Sequence, residues 1–512
     1  SHLWTFVYAG IFSNTLPKNL TSEFSVGVQG TKNELQTVAA SGTGLPAPDF
    51  QLIQSATTVT GSTGLSQVAS LGYYAQEQIG WANRLFVTGA LRADNNSAFG
   101  ENFQRAYYPK GSISYVVSEE PALAPIFKAI RADDFRLRLA YGEAGRAPGP
   151  YDALRTYTSI RVANGDGTVS SGLTAYSPGN PDLHAERGKE FEGGFDASFL
   201  GNRAGIEFTT YHKTTNDALV SISNAASTGF TAGHYINFAQ LQNSGIELAL
   251  RGTPVQTRAV TWDAQFAFST NHNRLNRLNL GGITQLIPYN PYAPTAYPTQ
   301  LIKEGYPVGG FWGEDVLRNP DGSYNLSPSG KLQYDTTLKY VGPSDPTYEG
   351  SLSNTVTLFG NVRLYALIDF KGGNYLFDQK DRNRDQTSNR NSLRFNDPSH
   401  PLSSADSAYY SGNATLPWIV PADFIKLRDV SVSYTLPPSL TRRISSDAVT
   451  LTLSGHNLGF ISKKYPGIDP EVNFFGSGTF RTGTTNFIQF IRVDSYTLPM
   501  LRRFTASLNV SF

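Results

Sequence analysis

The last ten residues, Arg503–Phe512, read RFTASLNVSF and alternate without a break between polar and apolar side chains. Every second residue from Phe504 to Phe512 is apolar, and every residue between them is polar. Since successive side chains of a β-strand point to opposite faces of its sheet, this segment predicts a strand with one apolar and one polar face.

The same period of two recurs in four internal segments, at residues 135–141, 262–269, 362–368 and 429–434. The chain of 512 residues holds 48 Gly, 27 Tyr and 31 Phe but a single Met, a composition that favours strands over helices. The sequence therefore predicts an all-β protein. The run Pro121–Ala132 is the best candidate for a helix, and helix elsewhere is expected only in short loop or turn segments.

The predicted strands are long, and their connections alternate between two kinds. Many strands run about ten residues, as a tilted membrane strand requires, whereas strands of soluble proteins usually stop at five or six. Short turns lie at Trp81–Asn83, Gly201–Ala204, Gly252–Arg258, Gly360–Asn361 and Pro437–Asp447. Long polar loops lie at about residues 31–69, 143–187, 213–241, 272–347, 371–422 and 456–500. A soluble sandwich or propeller has no reason to alternate in this way, so the pattern favours an antiparallel transmembrane β-barrel.

Composition excludes several other classes. The net charge is +1, which gives no electrostatic reason to expect nucleic-acid binding. The chain has no cysteine, so disulfides, zinc-thiolate sites and cysteine nucleophiles are excluded. No apolar run approaches the roughly 20 residues of a membrane helix. No catalytic motif and no histidine spacing typical of a metal site is present, so neither an enzyme, a cofactor nor a metal is expected.

One segment, Asp381–Asp385 (DRNRD), has the opening of a calcium loop. Gln386 replaces the turn glycine of such loops, and Ser392 replaces the glutamate at position twelve. A solvated loop is therefore the preferred interpretation.

Aromatic residues in the longest loop are the candidates for substrate binding. They lie within or beside the proline-rich run PYNPYAPTAYP and comprise Tyr289, Tyr292, Tyr297, Tyr306, Phe311 and Trp312. Aromatic faces stack on sugar rings and hold peptides, and proline stiffens a loop. The alternative is that these rings pack against neighbouring loops. The aromatic residues Tyr73, Tyr74, Trp81, Tyr107 and Tyr108 are expected in the girdles at the membrane interfaces.

Seven blocks, in order along residues 70–512, resemble the SusC/RagA class of TonB-dependent outer-membrane transporters. The blocks are Tyr107–Ser118 (YYPKGSISYVVS), Phe135–Gly145 (FRLRLAYGEAG), Asn180–Leu183 with Glu186, Glu190 and Phe195, Asn243–Glu247 (NSGIE), Glu304–Gly313 (EGYPVGGFWG), Phe424–Pro437 (FIKLRDVSVSYTLP) and Tyr465–Val472 (YPGIDPEV). Glycines in them, namely Gly142, Gly145, Gly245 and Gly467, are expected at turns or bulges with positive φ. The final strand ending at Phe512 also resembles the C-terminal signal of outer-membrane proteins.

The resemblance implies TonB-dependent uptake of a large nutrient, such as an oligosaccharide or a peptide, across the cell outer membrane. It implies a SusD-like surface lipoprotein as partner, contact with outer-membrane lipid and lipopolysaccharide, and the TonB complex acting through a part that precedes Ser1. The sequence shows no TonB box and no plug domain, so residues 1–512 are expected to be an N-terminally incomplete barrel domain. Two alternatives stay open: a plug-free barrel acting as a scaffold in an outer-membrane assembly, and a passive diffusion pore.

Counting strands leads to the same expectation. The pattern predicts fifteen, at about residues 3–12, 21–30, 70–79, 84–93, 107–117, 134–142, 188–199, 204–213, 243–251, 260–271, 350–359, 361–370, 424–436, 447–455 and 501–512. Bacterial barrels have an even number of strands. The chain is therefore expected to form part of a barrel of about 22 strands, with Ser1 and Phe512 on opposite rims.

Overall fold

The structure is a computed structural model that describes residues 1–50, 52–103, 105–222, 224–278, 285–286, 300–386, 390–472, 478–482, 485–489 and 492–512. Fifteen strands of the described residues follow one another in chain order across one sheet, and His272–Leu278 adds a sixteenth strand beside the ninth. In chain order they are β1 His2–Leu16, β2 Leu20–Thr43, β3 Thr58–Trp81, β4 Leu85–Asn96, β5 Ala106–Val116, β6 Ala132–Arg146, β7 Glu186–Phe199, β8 Ala204–Ile222, β9 His234–Gln256, β10 Val260–Thr270, β11 Tyr348–Leu358, β12 Val362–Gly372, β13 Phe424–Thr435, β14 Ala448–Lys463 and β15 Arg503–Ser511. Each predicted strand is present, so the all-β prediction is confirmed.

The described helices are short and lie in connections. They are Ala124–Ala129, Gln379–Asp385, Leu393–Asn396, Ser404–Ser411 and Pro438–Thr441, with single 3-10 turns at Ile53–Ser55, Val117–Glu119, Ala226–Thr228, Leu416–Trp418 and Arg442–Ile444. The helix predicted over Pro121–Ala132 is present but shorter. No helix in the described ranges is both long and apolar enough to pass through a membrane.

The chain divides into two compact units. Unit 1 comprises Ser1–Tyr115, Leu139–Phe191 and Thr215–Ala239, and unit 2 comprises Val116–Arg138, Glu192–Thr214 and Gln240–Phe512.

Unit 1 contains the antiparallel strands β1 to β5. The β2–β3 ladder runs unbroken from the pair Leu20–Trp81 to the pair Thr43–Thr58. Most of the long loop predicted at residues 31–69 is therefore strand. The prediction was wrong there because Thr, Ser and Gly in a hairpin lack the apolar alternation of a buried strand, while backbone pairing needs no such alternation. Unit 1 also holds a separate hairpin, Thr156–Ala163 with Val169–Ser177.

In unit 2 the register from β10 to β15 separates an apolar face from a polar face. One row of directly paired residues is apolar throughout: Trp262, Val356, Leu364, Val432, Leu453 and Ala506. The row beside it lies on the other face and carries Asp263, Thr355, Tyr365, Ser431, Ser454 and Thr505. Because strand register fixes every side chain to one face, six strands of alternating sequence build one continuous apolar surface and one continuous polar surface.

The long loops of unit 2 fold into a loop subdomain, which we define as residues 300–347, 374–386, 390–422, 464–472 and 492–494. Its short strands are Gln300–Lys303, Gly310–Val316, Tyr334–Gly342, Tyr375–Asp378, Ile419–Pro421 and Val493–Asp494. Further short strands of unit 2 are Gln285–Leu286, Gly478–Thr482 and Thr485–Gln489. Buried Phe311, Phe377, Trp418, Ile419 and Val493 form one core of the subdomain. The loops were predicted as polar connections, yet they bury an apolar core, because their scattered apolar residues meet only in three dimensions.

Three of the four glycines that were expected at positive φ, namely Gly145, Gly245 and Gly467, instead lie where another residue packs against the backbone. None of Gly142, Gly145, Gly245 and Gly467 is among the positive-φ glycines of the described chain, so that prediction was wrong. A Cβ on Gly145 would lie 1.8 Å from Tyr108 Oη, and one on Gly245 would lie 1.9 Å from the Thr270 carbonyl oxygen. Gly145 and Gly245 need glycine because another residue lies against the backbone, whereas a Cβ on Gly142 would meet only Lys110 Cγ at 4.0 Å.

The paired tyrosines of the predicted girdles point to opposite faces. Tyr73 and Tyr107 are about half exposed, whereas Tyr108 is buried over Gly145. Tyr74 covers Gly27, whose Cβ would lie 2.6 Å from the ring. Since neighbours along a strand alternate, only one member of each pair is placed as a girdle residue requires.

Candidate substrate-facing surface

The polar face of unit 2 contains a cavity of about 630 Å³. Charged and hydroxyl side chains from successive strands line it: Arg138, Glu207, Thr209, Glu247, Ser269, Glu349, Ser351 and Lys371. Glu247, Ser269, Glu349 and Lys371 form one row, because each is the direct register partner of the next across β9 to β12. Because side chains alternate along a strand, the strands that form the apolar face place these polar groups together on the opposite face.

Most charges on this surface are paired with an opposite charge. Arg138 Nη2 lies 2.8 Å from Asp196 Oδ1 and donates to Thr209 Oγ1 at 3.3 Å. Lys371 Nζ lies 3.0 Å from Glu349 Oε2, and both side chains stay substantially exposed. Exposed pairs of this kind contribute little to stability, so their groups can exchange partners with a solute at small cost.

A second cavity, of about 190 Å³, shares Glu349 and Lys371 with the first. Asn374, Glu471 and Arg492 complete its polar lining. The polar surface therefore continues from the strands into the loop subdomain.

A buried charge network fixes the loop subdomain to strand β13. Lys426, only 1% exposed, places Nζ 3.2 Å from Asp469 Oδ2 and 2.9 Å from Glu471 Oε2. Arg428 contacts Glu471 Oε1 at 2.9 Å and also pairs with Asp369 on β12. These contacts join two of the sequence blocks, Phe424–Pro437 and Tyr465–Val472. Sequence reasoning missed the network, because 43 residues separate Lys426 from Asp469 along the chain.

The aromatic candidates are only partly available to a ligand. Tyr306 and Trp312 are in edge contact with centroids 4.6 Å apart, and both contact Tyr340. Lys303 Nζ lies 4.6 Å from the centroid of the Trp312 ring.

The candidate aromatic residues also differ in how far their side chains are exposed. Phe311 is 0% exposed and Trp312 is 4% exposed, so both rings pack against protein in this structure. Tyr306 is half-buried. Tyr289, Tyr292 and Tyr297 lie outside the described residues. Substrate contact by Tyr306 stays a prediction, whereas the geometry of Phe311 and Trp312 fits the packing alternative.

The DRNRD segment is helical and does not form a calcium loop. It lies within the helix Gln379–Asp385, where Asp378 Oδ1 accepts a hydrogen bond from the Asp381 amide at 3.0 Å. Asp385 is buried and pairs with Arg394 at 2.7 Å. Among the described residues no group of three or more acidic, histidine or cysteine side chains could hold a metal ion.

Comparison with known proteins agrees with this architecture. The family model for the TonB dependent receptor-like β-barrel matches residues 5–458. TonB-dependent receptor P3 of Formosa agariphila is 25% identical over 490 residues, covering 89% of this chain and 47% of that protein. TonB-dependent receptor SusC of Bacteroides thetaiotaomicron is 23% identical over 427 residues, covering 78% of this chain and 41% of that protein. The chain thus spans about half the length of the curated relatives it matches.

The fold is also that of a solved transporter. The structure of the RagAB peptide importer in its closed-closed state superposes with a TM-score of 0.80 at 19% identity, covering 100% of this chain and 55% of that chain. Two-faced antiparallel strands, the family-model match and this likeness together place the protein in the outer membrane. The chain belongs to the TonB-dependent receptor-like β-barrel family.

Proposed function

We propose that the chain forms the barrel wall of a SusC-like transporter for TonB-dependent uptake of a large polar nutrient, either an oligosaccharide or a peptide. The polar face of unit 2 carries this proposal. Its charges and hydroxyls lie in one continuous surface, and in a membrane barrel that surface faces the interior because the opposite apolar surface meets lipid.

The chemistry of this surface suits a solute that must bind and then leave. Glu349 and Lys371 pair with each other while remaining partly exposed. Pairs of this kind offer both donors and acceptors without a buried uncompensated charge. A pathway works when binding is strong enough for entry and weak enough for exit. A cavity of about 630 Å³ is in the range that holds a drug-sized ligand, which corresponds to a few units of an oligomer.

The transporter would act with two partners. A SusD-like lipoprotein would cover the loop subdomain, and the TonB complex would supply the energy for uptake. The proposal of a lipoprotein predicts that the full-length protein, tagged and purified from native membranes, retains a surface lipoprotein. Recovery without any lipoprotein under mild detergent would contradict it.

The transport proposal is tested with chromosomal variants in the native host. Replacing Glu349→Gln together with Lys371→Met should slow uptake of the nutrient while leaving the amount of protein in the outer membrane unchanged. Lys18→Met, on an exposed turn outside this surface, is the matched control. Growth on oligosaccharides and on peptides as sole carbon source identifies which nutrient is affected.

Two outcomes would overturn the transport proposal. Uptake that persists when the proton-motive force is collapsed would indicate a passive pore. Deletion of the gene without effect on growth on any tested oligosaccharide or peptide would indicate a scaffold.

A further inference from the structure

The loop subdomain buries two aspartates side by side. Asp378 and Asp494 are direct partners in the short parallel pairing of Tyr375–Asp378 with Val493–Asp494. They are 1% and 3% exposed, and neighbouring strands lie about 4.8 Å apart. Two carboxylates so close in a protein interior repel each other strongly if both are ionised.

The charged groups around this pair do not balance two negative charges. Lys380 Nζ lies 3.0 Å from Asp494 Oδ2 and 3.8 Å from Asp378 Oδ1. Asp381 is the other acid facing the pair, and it has its own partner in Arg384 at 3.3 Å. Lys380 therefore contacts both buried carboxylates, and its single positive charge balances only one of them.

Hydrogen bonding leaves one oxygen of each carboxylate without a partner. Among the described residues, Asp378 Oδ2 and Asp494 Oδ1 are buried and accept no hydrogen bond. Tyr465 donates its hydroxyl to Asp494 Oδ2 at 2.6 Å and is itself 1% exposed. Protonation of one carboxylate would remove the excess charge and reduce the cost of the unpartnered oxygens.

Tyr465 connects this pair to the rest of the loop. It begins the segment Tyr465–Val472, and both end residues pack into a core with Leu376 and Ala422. Between them, Asp469 and Glu471 reach Lys426 of strand β13. The segment is thus held at one point by the carboxylate pair and at another by the buried lysine.

We propose that Asp378 and Asp494 form a proton-controlled latch. With one proton on the pair, the segment Tyr465–Val472 stays docked through Tyr465. When that proton leaves to solvent, two ionised carboxylates are buried beside Tyr465, and release of the segment lets water hydrate them. The latch does not depend on which nutrient is transported, so its test is separate from that of the proposed function.

The direction of the pH dependence follows from burial. Desolvation raises the pKa of Asp378 from 3.8 to about 6. A group whose pKa is higher in the docked state than in the released state stabilises the docked state. This stabilisation is complete below the ordinary pKa and is lost as the pH rises through the higher pKa. Docking should therefore weaken between about pH 4 and pH 6 and stay weak at higher pH.

The test uses the full-length protein in lipid nanodiscs. This chain has no cysteine, and any cysteine elsewhere in the protein is first replaced by serine. Ile468 is 67% exposed on the segment, so Ile468→Cys carries a nitroxide label without disturbing the core. We expect the label to be immobilised at about pH 4 and to gain a mobile component as the pH rises to about 6, with little further change toward about pH 8.

Two neutral variants and one matched control decide the outcome. Asp378→Asn should keep the label immobilised across the whole range, and Asp494→Asn should also abolish the transition. Asp321→Asn, an exposed acid in the same subdomain, should leave the wild-type titration unchanged. A wild-type spectrum that does not change with pH, or a transition that survives in both asparagine variants, would overturn the latch.

Discussion

Replacing Lys426 by methionine should release the segment Tyr465–Val472 from strand β13. Methionine keeps most of the volume of the lysine stem, so it fills the space beside Phe460, whose ring centroid lies 4.6 Å from Nζ. The substitution removes the charge and the hydrogen bonds that Nζ donates to Asp469 and Glu471. Glu471 keeps its contact with Arg428, whereas Asp469, 3% exposed, loses its cation.

The magnitude follows from the burial of the pair. Removing one partner of a buried ion pair costs about 3–5 kcal/mol, because the remaining charge is left uncompensated in the interior. At about 1.4 kcal/mol per factor of ten, the population of the released segment should rise on the order of a hundred- to a few-thousand-fold.

Amide hydrogen exchange at constant pH measures this population. The Lys464 amide, next to the segment, donates to the Asp423 carbonyl oxygen, so its protection reports attachment to the rest of the protein. The Glu471 and Val472 amides donate to Asp469 within the segment, so their protection reports whether the segment keeps its docked conformation. The full-length protein in detergent should show faster exchange of this peptide, with the strand β10 peptide unchanged.

Two further variants test whether the buried charge network holds the segment. Lys464→Met removes an ion pair whose lysine side chain is 65% exposed, so it should change exchange by no more than about fivefold. Adding Asp469→Asn to Lys426→Met should restore part of the protection, because the unpaired carboxylate is gone. Equal exchange in Lys426→Met and Lys464→Met would show that the buried network does not hold the segment.

Two predictions concern the strands. Leu508→Arg should reduce the free energy of unfolding by about 2–4 kcal/mol, because this residue is expected to face lipid near the middle of the bilayer. Ser507→Arg, on the other face, should be tolerated. Urea-dependent folding into vesicles measures both variants, and equal effects would reject the face assignment. Gly245→Ala should cost about 1–3 kcal/mol in the same assay, because its Cβ would lie 1.9 Å from the Thr270 carbonyl. Gly111→Ala, with its nearest atom at 3.9 Å, is the control and should be nearly neutral.

The sequence by itself determined the strands and the two faces of the sheet. Alternation is local, so a segment such as Arg503–Phe512 shows both its structure and its sidedness within ten residues. The blocks that resemble the SusC/RagA class also identify the family from the sequence alone.

Only the tertiary structure decided what the long loops do. In the sequence, Lys426 and Arg428 are two basic residues of a predicted strand. Nothing near them indicates that they will pair with Asp469 and Glu471. Asp378 and Asp494 lie more than a hundred residues apart and become neighbours only through a two-residue parallel pairing. Such contacts depend on the tertiary arrangement of segments that are distant in sequence, and local periodicity does not specify that arrangement. The same reason explains why Phe311, an exposed loop aromatic by its sequence context, is fully buried in the subdomain core.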